Sequence, residues 1–379
     1  MNTLKFGNGE WYGKEGTILA YNDENSNYKP LPFDFSRDSK ATVVNKDGLI
    51  ETVASGEPRI DYKDDSKGAL LLEPSRTNLY TYSNDVSFWT KSNVVTTSDY
   101  AISPDGTQNA FRAAFSSSIG LLYVTATGTT GTNNTLSVWA KSNNGSSNKF
   151  RFFANGNTTL SNDFIATDEW QRFEFTFNCT SVTAGLTGAS DSATNDIIFY
   201  AFQHEVGSYP TSYIPTQGSI VTRNQDVCNN GGNEQVINST EGVLYYEVSA
   251  QDNSITTSIL SISNGSNANS LYSGFSSSSN TIQAQLVVDG VAQTNMNYVV
   301  SDRTKFNKVA ILYQNNNHKM YVNGVEAVVD TSGSVPSANT FDRLNFDLGQ
   351  GSFDFYGNVK EIKLYNTALT DLELQALTT

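Results

Sequence analysis

The sequence predicts an all-β protein: an N-terminal meander of short strands, then two antiparallel β-sandwiches, then one short C-terminal helix. Three observations carry that prediction. Apolar and polar residues alternate over short runs, as they do when a strand turns successive side chains to opposite faces. Asn-Gly and Asp-Gly pairs recur between those runs, at Asn8-Gly9, Asp47-Gly48, Asp105-Gly106, Asn155-Gly156, Asp289-Gly290 and Asn323-Gly324. Such pairs supply the positive φ that tight hairpins need. No apolar stripe of helical period appears before the last residues of the chain, which argues for packed sheets.

Residues 1–75 carry apolar residues only in short pieces separated by turn formers, such as Trp11-Tyr12, Leu49-Ile50 and Leu70 to Leu72. They read as a meander that packs on a neighbour. Residues 76–222 read as the first sandwich, opened by "NLYTYSNDVSFW". "TLSVWAK" places Leu136, Val138 and Ala140 on one face, and "QRFEFTF" turns Phe173, Phe175 and Phe177 inward. In "DIIFYAFQHEV" the same alternation puts Ile198, Tyr200 and Phe202 on one face. Pro210 and Pro215 then stop the ladder. The polar run 223–233 reads as a linker.

Residues 234–379 read as the second sandwich, starting at "EGVLYYEVSA". "TIQAQLVVDG" alternates through Ile282, Ala284, Leu286 and Val288, and a hairpin turns at Asn323-Gly324. The final helix has Thr370 as its N-cap and Glu373 as the reciprocal partner of a capping box. Leu369, Leu372 and Leu377 are expected to pack it back on the sheets.

Composition limits the function. At 379 residues the chain is long enough for two or three domains. A formal net charge of -14 gains nothing from counterion release, so nucleic acid is excluded as the main partner. Anionic membranes repel such a chain, and no apolar run is long enough to insert. Charged residues are only 16%, and Asn, Ser, Thr and Gly fill the gap. An uncharged polar surface meets sugars well, and it equally suits an exposed β-protein that binds nothing. Cys179 and Cys228 are expected to be two unpaired thiols. No secretory leader is read at the N-terminus.

No catalytic constellation is legible. His204 and His318 are the only histidines, and no GxSxG, P-loop or HExxH occurs. Acids on strands, such as Glu174, Glu247 and Glu361, stand alone, without the paired spacing of a glycosidase. The expectation is a protein that is not an enzyme. A pyranose offers an apolar face to a flat ring, so Trp89, Trp139 and Trp170 are the residues expected to bind a glycan.

Three quoted stretches resemble bacteriophage tail-, fibre- and head-fibre proteins: "FDFSRDSKATVVNKDGLIETVASGEPRIDY" with "GALLLEPSRTNLYTYSND", then "AFQHEVGSYPTSYIPTQGSIVTR", then "VKEIKLYNTALTDLELQAL". The first sandwich resembles jelly-roll carbohydrate-binding modules. The second resembles concanavalin A-like or laminin-G-like domains through Tyr313 to Gly324 and Gly357 to Glu373. The resemblance implies a virion protein made in the host cytoplasm and displayed on the particle. Its N-terminal segment would dock on other virion proteins, and it would assemble as a homodimer or homotrimer that adsorbs to host-surface glycans. It further implies a structural calcium between Asp85 and Glu205, although the closing strand "AFQHEVG" lacks the Asp usual there. Head or tail placement, a purely structural decoration role, and a surface-polysaccharide depolymerase stay open as alternatives.

Overall fold

The last strand of the chain, Gly357–Tyr365, is paired on one side with Glu241–Ala250 and on the other with the first, Leu4–Gly7, so both chain ends share one sheet. The computed structural model describes residues 4–22, 29–126, 130–145, 147–181, 183–191, 193–253 and 256–379. They fall into two units. A terminal unit takes Met1–Asp38, Val53–Pro74 and Gln225–Thr379, and a middle unit takes Ser39–Thr52 and Ser75–Asn224.

In the terminal unit one antiparallel sheet runs Val227–Asn229, Lys29–Ser36, Thr17–Asn22, Leu4–Gly7, Gly357–Tyr365, Glu241–Ala250, Asn307–Gln314, Asn317–Val322, Val325–Asp330. A second sheet runs Val291–Val299, Thr281–Val288, Ser270–Phe275, Ser258–Ser263, Arg343–Asn345. Their facing side chains make one core, in which Leu244, Tyr246, Ile362 and Leu364 share a cluster with Leu260, Leu271, Leu286 and Met296. The alternation in "EGVLYYEVSA" sends Val243 and Tyr245 to the opposite face, where Leu374 of the helix Asp371–Thr378 covers them. The capping box forms as the sequence predicts. Leu369 and Leu377 pack there, but Leu372 is 79% exposed, and Leu374 takes the place expected for it.

The segment 1–75 is therefore not a body of its own. Leu4, Phe6, Phe33 and Phe35 belong to the core of the terminal unit, and the sheet continues through their strands. Nor is 223–233 a linker. Arg223, Asp226 and Cys228 are buried, and Val227–Asn229 pairs with Lys29–Ser36. The reason is non-local pairing: a short polar run becomes a strand when a distant partner supplies its ladder.

The middle unit is a second sandwich. One sheet runs Val94–Ile102, Gln108–Phe115, Asn195–Val206, Asn133–Ser142, Gln171–Asn178. The other runs Thr90–Ser92, Leu121–Thr125, Thr183–Gly188, Asn148–Ala154, Thr159–Leu160. Phe111, Phe115, Leu136, Val138, Phe150, Phe152 and Phe199 form the core, with Phe173 and Phe175 packed against it. Ile198 and Tyr200 face the other way, but Phe202 joins the core and not their face. A register shift opposite Ser137 and Trp139, with Ala201 at φ 58°, is the cause. A bulge inserts one residue and reverses the alternation beyond it. Val44 and Ile50 cover the outer face together with Tyr213 and Trp139. Both cysteines are buried and free of disulfides. Among the described residues no helix is long and apolar enough to cross a membrane.

Candidate functional site

A cleft of about 750 Å³ opens on the middle unit where the outer sheet face meets the turns before and after its strands. It is lined by Thr42, Ser83, Asn84, Asp85, Asp99, Asp105, Asn109, Tyr200, Tyr213, Thr216 and Gln217, among others. Tyr200, which shares the outer face with Ile198, builds its floor and brings its hydroxyl to Asp105. Tyr200 donates to Asp105 Oδ2 at 2.8 Å, and Asn109 Nδ2 donates to the same oxygen at 2.8 Å. Asp105 Oδ1 accepts from Ser103 Oγ, Thr107 N and Thr107 Oγ1. Burial pushes this carboxyl up, but the hydrogen bonds from Thr107, Asn109 and Ser103 outweigh it and hold it below the usual Asp range. It is an ionised anchor with its acceptors occupied.

The far wall is equally fixed. Tyr213 OH lies 2.6 Å from Ser83 Oγ, Ser83 Oγ accepts from Thr216 N at 2.9 Å, and Thr42 Oγ1 donates to the Tyr213 carbonyl at 2.5 Å. Asn84 Nδ2 donates to the Asn109 carbonyl at 2.6 Å. Burial pushes both phenols well up, so Tyr200 and Tyr213 stay neutral at any physiological pH. Four groups on this wall and rim have capacity left. Thr216 is 8% exposed and its Oγ1 has no hydrogen-bond partner, and the buried Asn109 Oδ1 has none either. Asp85 Oδ1 accepts from Ser87 N and Oγ. Among the described residues no donor reaches Asp85 Oδ2 or the exposed Asp99 carboxylate.

The residues singled out in the sequence go elsewhere, Asp85 excepted. Trp89 is 4% exposed and packs among Tyr80, Phe111 and Phe202, with its Nε1 donating to the Tyr82 carbonyl at 2.8 Å. It is a core residue. The exposed ring is its neighbour Phe88, 59% exposed and stacked on Tyr82 with centroids 3.9 Å apart. Trp139 and Trp170 lie together on the outer sheet face, partly buried, and Lys141 Nζ sits 5.1 Å above the Trp170 ring.

Asp85 lines the cleft, Glu205 does not, and the Glu205 carboxylate is already engaged. Glu205 is fully buried; its Oε2 accepts from Thr211 N and Gln203 Nε2 and its Oε1 from Thr211 Oγ1. A carboxylate so engaged does not fit a calcium site, and among the described residues no group of three or more His, Cys, Asp or Glu side chains is placed to hold a metal. Gln203 Oε1 in turn accepts from Ile214 N at 2.6 Å, and Arg172 donates to the Thr211 carbonyl at 2.7 Å. The stretch "AFQHEVGSYPTSYIPT" thus pins its own proline-bounded return against the closing strand. His204 is buried against Asn134, with Nε2 2.9 Å from Oδ1, and burial lowers its pKa to about 4. His318 is also buried, on the strand Asn317–Val322 and not in a turn.

Residues 245–375 match the model of the concanavalin A-like lectin/glucanases superfamily. No curated protein matches the chain. Among solved structures the chain is similar to the CBM40 of the Ruminococcus gnavus IT-sialidase bound to α2,3-sialyllactose, with 17% identity, TM-score 0.34, and coverage of 40% of this chain and 94% of that one. It is also similar to domains LG4-5 of mouse laminin α1, with 8% identity, TM-score 0.28, and coverage of 80% and 93%. The CBM22 tandem domain of Paenibacillus barcinonensis Xyn10C gives 10% identity, TM-score 0.28, and coverage of 78% and 100%.

Proposed function

We propose that this chain is a non-catalytic glycan-binding protein of a bacteriophage particle, a head or tail fibre or decoration protein that adsorbs to host-surface polysaccharide. The observation that carries the glycan reading is the middle-unit cleft. It joins rigidly held tyrosines to a ring of amides, hydroxyls and carboxylates, some with unused hydrogen-bonding capacity. Sugar sites combine those two features, a flat apolar surface and a few fixed polar groups. The concanavalin A-like match over 245–375 supports the same reading for the terminal unit. The particle assignment rests on the three-part resemblance in the sequence. Each site need only be weak, because a homodimer or homotrimer repeated over a particle raises avidity by orders of magnitude.

The test is binding of the labelled full chain to whole host cells, with isolated surface polysaccharide as competitor. Saturable binding that the polysaccharide displaces is expected. A folded protein that binds no cell would overturn the adsorption reading and leave a purely structural decoration role. Release of new reducing ends from the polysaccharide would show instead that the protein is a depolymerase.

A further inference from the structure

We infer that the middle-unit cleft selects a non-acidic glycan rich in hydrogen-bond donors, neutral or amino-bearing, and excludes acidic sugars. The inference rests on the glycan reading above and says which glycans the cleft takes. Its starting point is a mismatch between what the cleft offers and what it has used. Several of its fixed donors are engaged: Tyr200 gives its proton to Asp105, Asn109 gives an amide hydrogen to Asp105, and Asn84 gives one to the Asn109 carbonyl. Beside the hydroxyls of Thr52, Ser98 and Thr216 and the Gln217 amide, the cleft keeps strong acceptors, in Asn109 Oδ1 and Asp85 Oδ2 and in the Asp99 carboxylate at the mouth.

Thr216 gives an independent sign that something belongs in this space. Its hydroxyl lines the cleft, is more than nine-tenths buried, and has no partner. A buried hydroxyl without a partner is costly, and a ligand hydroxyl supplies one. Vicinal sugar hydroxyls also donate in pairs to a carboxylate, which suits Asp85 and Asp99.

Charge sets the selectivity. Asp85, Asp99 and Asp105 line the cleft, and no Lys, Arg or His does. Arg112, on the adjoining strand, is tied to Asp196 by two hydrogen bonds of 2.7 Å. A sialic or uronic acid carboxylate would meet like charge with no cation to offset it, whereas a protonated amino sugar would be drawn in. The stacked pair Tyr82 and Phe88 continues from this acceptor rim, since Asp85 opens the turn that carries Phe88. It offers an apolar ring for a sugar face.

The experiment titrates the full chain with three defined probes at low and physiological salt: a glucosamine oligomer, a neutral mannose oligomer and a polygalacturonate oligomer. Binding of the neutral or amino probe at least about tenfold tighter than the acidic one is expected, with the amino probe alone weakening as salt rises. Asp85→Asn with Asp99→Asn should weaken the amino probe about tenfold and narrow the gap to the acidic one. Thr216→Val keeps the shape and removes the hydroxyl, so it should weaken all sugars that bind. Acidic sugar bound as tightly as neutral by the unmodified chain overturns the inference. So does Ca²⁺ alone, bound by the unmodified chain and lost in the double Asn variant. Host-cell binding that survives in the double variant and in Thr216→Val retires this cleft but leaves the adsorption reading standing.

Discussion

Arg59 donates to Asp226 across a sequence separation of 167 residues, and both side chains are fully buried. Asp226 also accepts from Arg37 Nη1 at 3.0 Å and from Glu73 N at 2.9 Å, and Arg59 Nη1 reaches Glu73 Oε2 at 2.6 Å. Arg37, Arg59, Glu73 and Asp226 each stand near one of the four points where the chain leaves or re-enters the terminal unit. Removing one member of such a cluster strands a buried charge, which costs about 3–5 kcal/mol. Asp226→Ala should therefore lower the terminal unit's stability by about that much and shift its denaturant midpoint. A change under about 1 kcal/mol would show that the cluster contributes nothing net.

The N-terminal strands are part of the terminal core, so deleting residues 1–38 should unfold that unit instead of releasing a soluble sandwich. Leu4, Phe6, Ile18, Phe33 and Phe35 are all buried in that core. At about 1.5–3 kcal/mol for each buried side chain, their loss approaches the whole stability of a typical domain. Gly7→Ala tests the same pairing with one atom. Gly7 has φ 92°, and a Cβ there would lie 2.3 Å from the Lys360 carbonyl oxygen on the partner strand. A truncated chain that kept a cooperative terminal-unit transition would contradict this and revive a separable docking segment.

The period-two pattern was enough to find most strands, because burial of one face is written locally. Phe173, Phe175 and Phe177 face in as the alternation says, and the Thr370 to Glu373 box caps the helix. Legibility failed where the answer lay in a distant partner. Nothing near Ala201 announces a bulge, so the alternation assigns Phe202 to the face of Tyr200. Nothing near Cys228 announces the strand Lys29–Ser36. The cleft was hidden for the same reason. Asp105 reads as a turn residue and Tyr200 as one member of a strand face, and nothing local in the sequence joins them across 95 positions. Asp85 was singled out, but as a metal ligand. The one local sign of the exposed ring was Phe88 beside Trp89, and a Trp–Phe pair does not say which ring the core will take.

Trp89 and Phe88 should separate stability from binding. Trp89→Ala removes a buried ring from a cluster with Tyr80, Phe111 and Phe202, which costs about 3–5 kcal/mol. Phe88→Ala removes an exposed ring stacked on Tyr82 and should cost no more than about 1.5 kcal/mol. Glycan affinity should respond the other way, falling several-fold in Phe88→Ala while the protein stays folded. Urea denaturation followed by titration of the same samples checks both. Wild-type affinity in Phe88→Ala would remove this ring from the site.

His204 and Glu205 should give the middle unit opposing pH dependences. Burial lowers the His204 pKa to about 4 from 6.5, so the unfolded chain binds the proton more readily. Its contribution is full above about pH 6.5 and is lost as pH falls toward 4, a loss of about 3 kcal/mol. Glu205 has the reverse sign. Burial raises its pKa above the ordinary Glu value of 4.5, although Thr211, Arg172 and Arg223 oppose the rise. Its contribution is present below pH 4.5 and is lost as pH rises through the folded value. The middle unit should therefore lose stability on acidification chiefly through His204. Trp89, Trp139 and Trp170 make tryptophan fluorescence a suitable probe of its urea midpoint between pH 4 and 7. In His204→Asn the fall toward low pH should flatten or reverse, whatever the variant's absolute stability. An unchanged slope in that variant would assign the acid sensitivity to other groups.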